Sequence, residues 1–372
     1  MMKNSLLAFG LMLLVFACQP PASSDQEADS FQAVDDAARP GLRSALHPDF
    51  SAPEPTDKEL KVAFYNVENL FDTQDDPNKI DEEFLPGSEL NWTLPKYNSK
   101  QSSIARVINA IQPDLLGLAE VENARVLDDL LSQQLIADKA YRYLHEESPD
   151  QRGIDVAFVY RPEAFKYLSH KAVRVDFPQE PEYTSRDFLI VTGELAGGEK
   201  LHVIVNHWPS RRGGQMESEP RRLRVASLVR EQIDQIFAQE KDANIILMGD
   251  FNDDPLNLSL IEGIEAEPDL ADLPDDGFFN PMADLLDPDS YGTLTYRGKW
   301  NLFDQFILSE NLTLQENEVT YQANSARAFN AEWLRVGFGR SAEAPRRAIF
   351  RGEYQKEGFS DHFPIEMELV VE

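Results

Sequence analysis

The chain has 372 residues, 42% of them hydrophobic and 10% aromatic, which is enough apolar material for a large folded core and excludes a wholly disordered protein. Its formal net charge of −30 sets a long-range field against nucleic acid and anionic lipid, so a phosphate-bearing ligand needs a local cation, from arginines or from a bound metal. The single cysteine excludes an intramolecular disulfide.

Residues 1–18 read as a targeting segment. Lys3 gives a positive start, and Leu6 to Ala17 is an apolar run too short to span a bilayer comfortably. It ends in Val15-Phe16-Ala17-Cys18, which resembles a bacterial lipoprotein lipobox. Lipidation at Cys18 would hang the chain from a membrane by acyl chains. This predicts an extracytoplasmic, lipid-anchored protein, with outer-membrane or surface placement favoured by the acidic run that follows. Residues 19–57 are rich in Pro, Ala, Ser, Asp and Glu and show no hydrophobic period, as expected of a disordered tether. The folded domain is expected over 58–372, as a monomer with no obligate protein partner.

That domain opens with an apolar run at Glu59 to Tyr65, the pattern of a buried strand. Phe71 to Tyr97 reads as a long acidic loop containing Trp92, and ordered loops of that length are often functional. Ser99 to Ile111 has helical spacing, with Ile104, Val107, Ile108 and Ile111 on one face. A strand is expected at Leu115 to Ala119 and a helix over Val126 to Leu135. Ile154 to Tyr160, Phe188 to Leu195 and Leu201 to Asn206 read as strands, the last two joined by a turn at Gly197-Gly198. Glu219-Pro220 is expected to open a helix with proline at its first position. Asn244 to Met248, Phe303 to Leu308 and Ile365 to Val371 complete the strands. Residues 310–358 show no clear period. Strands interleave irregularly with fewer helices, which favours two packed sheets with helices outside over a simple parallel array.

The chemistry gathers at strand ends in six segments, five of which follow a short apolar run. The segments are Tyr65-Asn66-Val67-Glu68-Asn69, Gly117-Leu118-Ala119-Glu120, Val205-Asn206-His207, Gly249-Asp250-Phe251-Asn252-Asp253, Phe303-Asp304 and Ser360-Asp361-His362. One polar residue at a strand end is ordinary. Six such groups, rich in Asp, Asn, Glu and His, suit metal-assisted cleavage of a phosphoester. That reaction needs a cation for the phosphoryl charge, a base to aim water and a donor for the leaving oxygen. Glu68, Glu120, Asp250 and Asp361 are the candidate carboxylates. Asn66 and Asn252 position groups without adding charge, and His207 and His362 can bond phosphate oxygens or move protons. Asp304 is placed to fix one imidazole.

From about Leu60 to Val371 the sequence resembles the endonuclease/exonuclease/phosphatase superfamily. That group includes pancreatic-type deoxyribonucleases, abasic-site endonucleases, sphingomyelinases and inositol-polyphosphate phosphatases. The motifs carrying the resemblance are Gly249-Asp250-Phe251-Asn252-Asp253 and, about 110 residues later, Ser360-Asp361-His362-Phe363-Pro364, with Asn66, Glu120 and His207 upstream. The resemblance implies an α+β fold, a four-layer α/β/β/α sandwich of the DNase I-like kind. It implies Mg²⁺ or Mn²⁺ as cofactor, held by Glu68, Glu120 and Asp361 with Asn66 beside them. His207, Asp250, Asn252, Asp304 and His362 become the catalytic set, and Arg186 becomes a phosphate contact. Arg211 and Arg212 lead an arginine run (with Arg221, Arg222 and Arg224) that reads equally as a substrate-guiding edge or a solvated helix start. The functional expectation is an extracytoplasmic DNase-like endonuclease. The alternatives are a phosphomonoesterase or lipid or inositol phosphodiesterase of the same fold, and an inactive binding module.

Overall fold

The computed structural model describes Thr56 and residues 58–339 and 342–372. The expected targeting segment, Cys18 and all of the tether except Thr56 lie outside the described residues. Among the described residues no helix is long and apolar enough to cross a membrane.

The chain begins with β1 (Glu59–Leu70), α1 (Leu94–Ile111), β2 (Leu115–Val121), α2 (Ala124–Leu131), β3 (Arg142–His145) and β4 (Asp155–Tyr160). Next come β5 (Lys166–Val173), β6 (Phe188–Glu194), β7 (Lys200–His207), α3 (Gln215–Phe237) and β8 (Ile245–Asp250). Shorter strands follow: β9 (Ala266–Glu267), β10 (Phe278–Phe279), β11 (Leu294–Tyr296) and β12 (Lys299–Asn301). The last part holds β13 (Asp304–Ser309), β14 (Val319–Tyr321), β15 (Arg327–Ala328), β16 (Ile349–Phe350), β17 (Glu353–Tyr354) and β18 (Ile365–Val371).

Two seven-stranded sheets result. The first runs β14-β18-β1-β2-β4-β3, with β15 also on β18; the second runs β5-β6-β7-β8-β13-β10-β9. Strand alternation sorts the side chains into layers, because successive residues face opposite sides of a sheet. Leu60, Val62 and Phe64 of β1 meet Val203 and Val205 of β7 and Ile246 and Met248 of β8 in the core between the sheets. Ala63, Tyr65 and Val67 face the other way, against Ile104, Val107, Ile108 and Ile111 of α1 and Val126, Leu127 and Leu130 of α2. On the far side Ile204, Ile245 and Leu247 pack against Val225, Ala226, Val229 and Ile233 of α3. The order is helix, sheet, sheet, helix, as the sequence led us to expect.

Several boundaries differ from expectation. Helix α1 starts at Leu94, taking the end of the supposed loop, because Thr93 is extended and a proline occupies its first turn. Helix α2 is shorter, from Ala124 to Leu131, and the Asn123 side chain accepts a hydrogen bond from Val126 N at 3.1 Å to cap it. Pro220 does not open α3 but lies inside it; the helix starts just after Gly213 and Gly214, both at positive φ. The shortened acidic loop is folded over its own aromatics. Phe71 stacks on Phe84 at 4.1 Å, and Trp92 donates from Nε1 to the Phe71 carbonyl at 3.0 Å.

Gly117 in β2 faces the second sheet with no room for a side chain. A Cβ there would come within 2.7 Å of Met248 Sδ, 2.9 Å of Phe64 Cδ2 and 3.2 Å of Val205 Cγ1. Gly117→Ala is therefore expected to destabilise the domain by about 1–3 kcal/mol through overpacking, read as a lower denaturant midpoint at unchanged m-value.

Candidate active site

The strand ends that carry the polar residues are irregular. The β1–β2 register shifts between Asn66 and Leu70. Glu68, Asn69, Glu120 and Asn252 all have φ between 51° and 65°, in the left-handed region that non-glycine residues avoid. Such conformations are held at functional sites by surrounding bonds, and bulges re-aim side chains. Here the bond from Asn69 N to Glu120 Oε2 at 2.8 Å ties the ends of β1 and β2 together.

Asp250 stands at the centre. It pairs in register with His207 on β7 and with Asp304 on β13. Its Oδ1 accepts from Asn252 N at 2.9 Å and its Oδ2 from Asn66 Nδ2 at 3.0 Å. The same Oδ2 lies 3.6 Å from His207 Nε2 and 3.9 Å from His362 Nε2. Burial, with Asp304 nearby, pushes its carboxyl up to about 7, against the opposing pull of His362. The Asn252 amide donates to the Trp208 carbonyl at 3.0 Å, which fixes the loop after β8 to the end of β7.

The two imidazoles are tuned in opposite directions. Burial alone would lower the His362 pKa. The charge of Asp304 and its 2.7 Å bond to His362 Nδ1, together with Asp250 and Asp361, overcome burial and hold His362 well above its ordinary value. His207 is also buried, and the positive charges of Arg186, Arg152 and His362 depress it further, well below its ordinary value. Near neutral pH the site therefore holds one imidazolium and one neutral imidazole. Such divergence is the usual mark of divided acid and base roles.

The acidic side of the site divides into an open part and a closed part. Glu120 Oε1 faces His207 Nε2 across 3.9 Å, and Asp361 Oδ1 lies 3.9 Å from His362 Nε2 with its side chain 32% exposed. These two open carboxylates are hard oxygen donors of the type a hydrated divalent cation prefers, so the residues fit a metal. Asp250, Asp304 and His362 also bring ligand atoms within 4.8 Å of one another. His362 Nδ1 is already bonded to Asp304, so we read that trio as a proton-holding chain and not as the ligand set.

Glu68 differs from expectation. Its two oxygens accept the backbone amides of Ala348 and Ile349, so it sits behind Asp361 and does not offer an open ligand. Burial and Asp361 push its carboxyl up to about 8. Beneath it lies Lys100, fully buried, donating to the Phe359 carbonyl and lowered to about 8 by burial.

Sequence reasoning missed Lys100, although its spacing from Ile104, Val107 and Ile111 puts a lysine on the buried stripe of α1. It also missed the role of Ser360, whose Oγ donates to the Asn66 carbonyl at 2.7 Å and accepts from His362 N at 3.1 Å. The Ala348 and Ile349 amides come from a stretch whose sequence carries no pattern.

The arginines are largely structural. Arg186 was expected to touch phosphate, but it is buried and donates to Asp150 at 3.3 Å and to the Trp208 carbonyl at 2.6 Å. It acts on the site through its charge on His207. Arg211 donates to the Asn252 carbonyl, Asp253, Asp254 and Asn257, and lies 4.4 Å over the Phe303 ring. It braces the Asn252 loop and does not reach outward. Arg222 is buried against Asp253, Arg221 pairs with Glu180 and Arg224 with Asp176. Arg212 is exposed to solvent.

Two stacked sheets with polar, left-handed strand ends converging on a buried Asp–His pair define a phosphoester hydrolase of the DNase I-like class. A family model for the endonuclease/exonuclease/phosphatase family matches residues 61–370, and the chain belongs to that family. Similar solved structures include a mannosyl-6-phosphatase from Bacteroides thetaiotaomicron, at TM-score 0.53 and 16% identity over 84% of this chain and 99% of that one. The human Nocturnin catalytic domain with bound sulfate matches at TM-score 0.52 and 14% identity, covering 86% and 96%. TDP2 from D. rerio, complexed with a single-strand DNA product, matches at TM-score 0.50 and 18% identity, covering 84% and 99%. At these identities the likeness is one of fold. No curated protein matches the chain.

Two predictions follow from the geometry. Asp304→Asn removes the charge that keeps His362 protonated. The His362 pKa should then fall below its ordinary value under burial, and kcat should drop about 100-fold or more; the alkaline limb of the pH–rate profile should move down, and histidine NMR titration reads the pKa directly. Arg211→Ala should lower thermal stability by about 2 kcal/mol or more, whereas Arg212→Ala should stay within about 0.5 kcal/mol of the parent.

Proposed function

We propose that the protein is a Mg²⁺- or Mn²⁺-dependent hydrolase of small phosphomonoesters. The observation that carries the choice of substrate size is the closure of the arginine run. Arg211, Arg221, Arg222 and Arg224 are all engaged by carboxylates of the same chain. Among the described residues no cationic track is left on that edge to hold a polyanion against a net charge of −30. The DNase-like reading expected from the sequence then has only a bound metal as its local cation. The phosphatase among the structural relatives agrees in fold with a chain that acts on monoesters.

A divalent cation held by Glu120 and Asp361 would neutralise phosphoryl charge and polarise the phosphorus–oxygen bond. The chain's own residues supply the rest. Asp250, fixed at both oxygens by Asn66 and Asn252, takes the proton of the attacking water. As water adds, the phosphorus–oxygen ester bond breaks, and His362, charged because of Asp304, gives its Nε2 proton to the departing alcohol oxygen. His207 offers a hydrogen-bonding nitrogen to the same space without adding charge. Asn252 keeps the Asp250 loop aligned with the end of β7. The sequence of residues 1–18 supports placing this activity outside the cytoplasm on a lipid anchor at Cys18.

The test is phosphate release from p-nitrophenyl phosphate beside nicking of supercoiled plasmid. Release should require Mg²⁺ or Mn²⁺, be abolished by EDTA and fall about 100-fold or more in His362→Ala. It should change little between about 50 and 200 mM salt, a range over which nucleic-acid binding weakens steeply. Plasmid nicking that requires both the metal and His362 would overturn the small-substrate reading.

A further inference from the structure

A cavity of about 430 Å³ opens at the ends of β1 and β2. Its walls include Asp72, Gln74 and Asp81 of the loop after β1, Glu122 and Arg125 just past β2, and Arg152 of the turn before β4. The cavity adjoins the catalytic centre. Glu122 follows Glu120 by two residues and accepts the Asp72 amide. Arg152 is near enough to His207 for its charge to act on that imidazole.

The lining is chemically selective. It carries seven carboxylates, three basic side chains and no aromatic ring. The absence of aromatics leaves nothing for a nucleobase to stack on. The near-absence of apolar side chains excludes an acyl chain. The excess of carboxylates repels a second phosphate. Acceptors interleaved with donors instead match hydroxyl groups, which give and accept hydrogen bonds together. One atom of the wall also calls for such a partner. Asp81 is 1% exposed, its Oδ2 accepts Asp76 N at 3.0 Å, and its Oδ1 is buried with no hydrogen-bond partner among the described residues. A buried acceptor is ordinarily satisfied, so an orphan oxygen in a cavity wall points to a missing donor.

We propose that this cavity recognises the leaving group of the substrate, and that the leaving group is a polyhydroxylated, sugar-like moiety with one hydroxyl donating to Asp81 Oδ1. The assignment rests on the phosphomonoesterase reading above and names its substrate class. The phosphoryl group lies at Asp250, His207 and His362, and the sugar extends past Glu122 into the cavity.

The experiment compares kcat/KM for glucose 6-phosphate and p-nitrophenyl phosphate in the full chain and in two variants. Asp81→Asn changes the orphan acceptor at constant shape. Gln74→Ala changes an exposed loop side chain and keeps the test open should Asp81→Asn unfold the loop; thermal unfolding monitors both. The wild type should prefer the sugar ester. Each variant should lose on the order of 10-fold on it while p-nitrophenyl phosphate is unchanged, because only the sugar uses the cavity. Parallel losses on both esters, or no loss on either, would overturn the assignment. A wild type that is folded, metal-loaded and inactive on both esters sinks the phosphomonoesterase reading instead. The cavity is then judged by saturation-transfer NMR with free glucose, where a signal unaffected by Asp81→Asn and Gln74→Ala overturns the proposal.

Discussion

One hydrogen bond joins the two halves of the site, from Asn66 Nδ2 on the first sheet to Asp250 Oδ2 on the second, across 184 positions of sequence. It lies at the rim of an apolar core, where either group left alone would carry the cost of an unmet buried polar atom. Making it requires β1 and β8 to hold a single relative register. The same residues then bring in the remainder. The Asn66 carbonyl receives Ser360, which sets Asp361 and His362, while Asp250 is flanked by His207 and Asp304 on neighbouring strands. A slip of one residue in either sheet would turn these side chains to the opposite face.

The electrostatics follow from that packing. Each shift among the central groups begins with burial, and neighbouring charges decide where it ends. Asp304 reverses the effect of burial at His362, whereas Arg186 and Arg152 reinforce it at His207. Burial lowers Lys100 and raises Glu68, and the attraction between the two opposes both shifts. The arginines contribute mainly as braces, which leaves the surface around the site close to the acidic character of the whole chain.

The layers were legible because buried strands are short apolar runs and helices show a 3.6-residue stripe. β1, β2, β4, β6, β7, β8, β13 and β18 all fall on such runs. β3 and β5 were missed; β5 reads Lys-Tyr-Leu-Ser-His-Lys-Ala-Val, half polar at the sheet edge, and offers no apolar run. Asn66, Glu120, His207, Asp250, Asn252 and Asp304 were legible as polar residues ending apolar runs, Asp361 and His362 through the Ser360-Asp361-His362-Phe363-Pro364 motif ahead of the last strand, and the structure brings them together. Glu68, Arg186 and Arg211 share that polar signature, but their partners are distant in sequence: Ala348, Asp150 and Asp253. No local pattern distinguishes a carboxylate or guanidinium turned to solvent from one closed on such a partner.

The pairing of β1 with β18 has a consequence for biosynthesis. Glu59 lies opposite Val370 and Phe64 opposite Ile365, so the first strand waits for the last before its hydrogen bonds on that side can close. Until then Asn66 has no Ser360 and Asp250 has no His362. Loop closure over so long a separation is slow compared with local helix formation. An emerging chain thus passes through a prolonged stage with helices formed and an open sheet edge, during which it is inert as an enzyme and exposed to aggregation. Activity begins only once nearly the entire domain has been synthesised, a built-in delay between translation and hydrolysis.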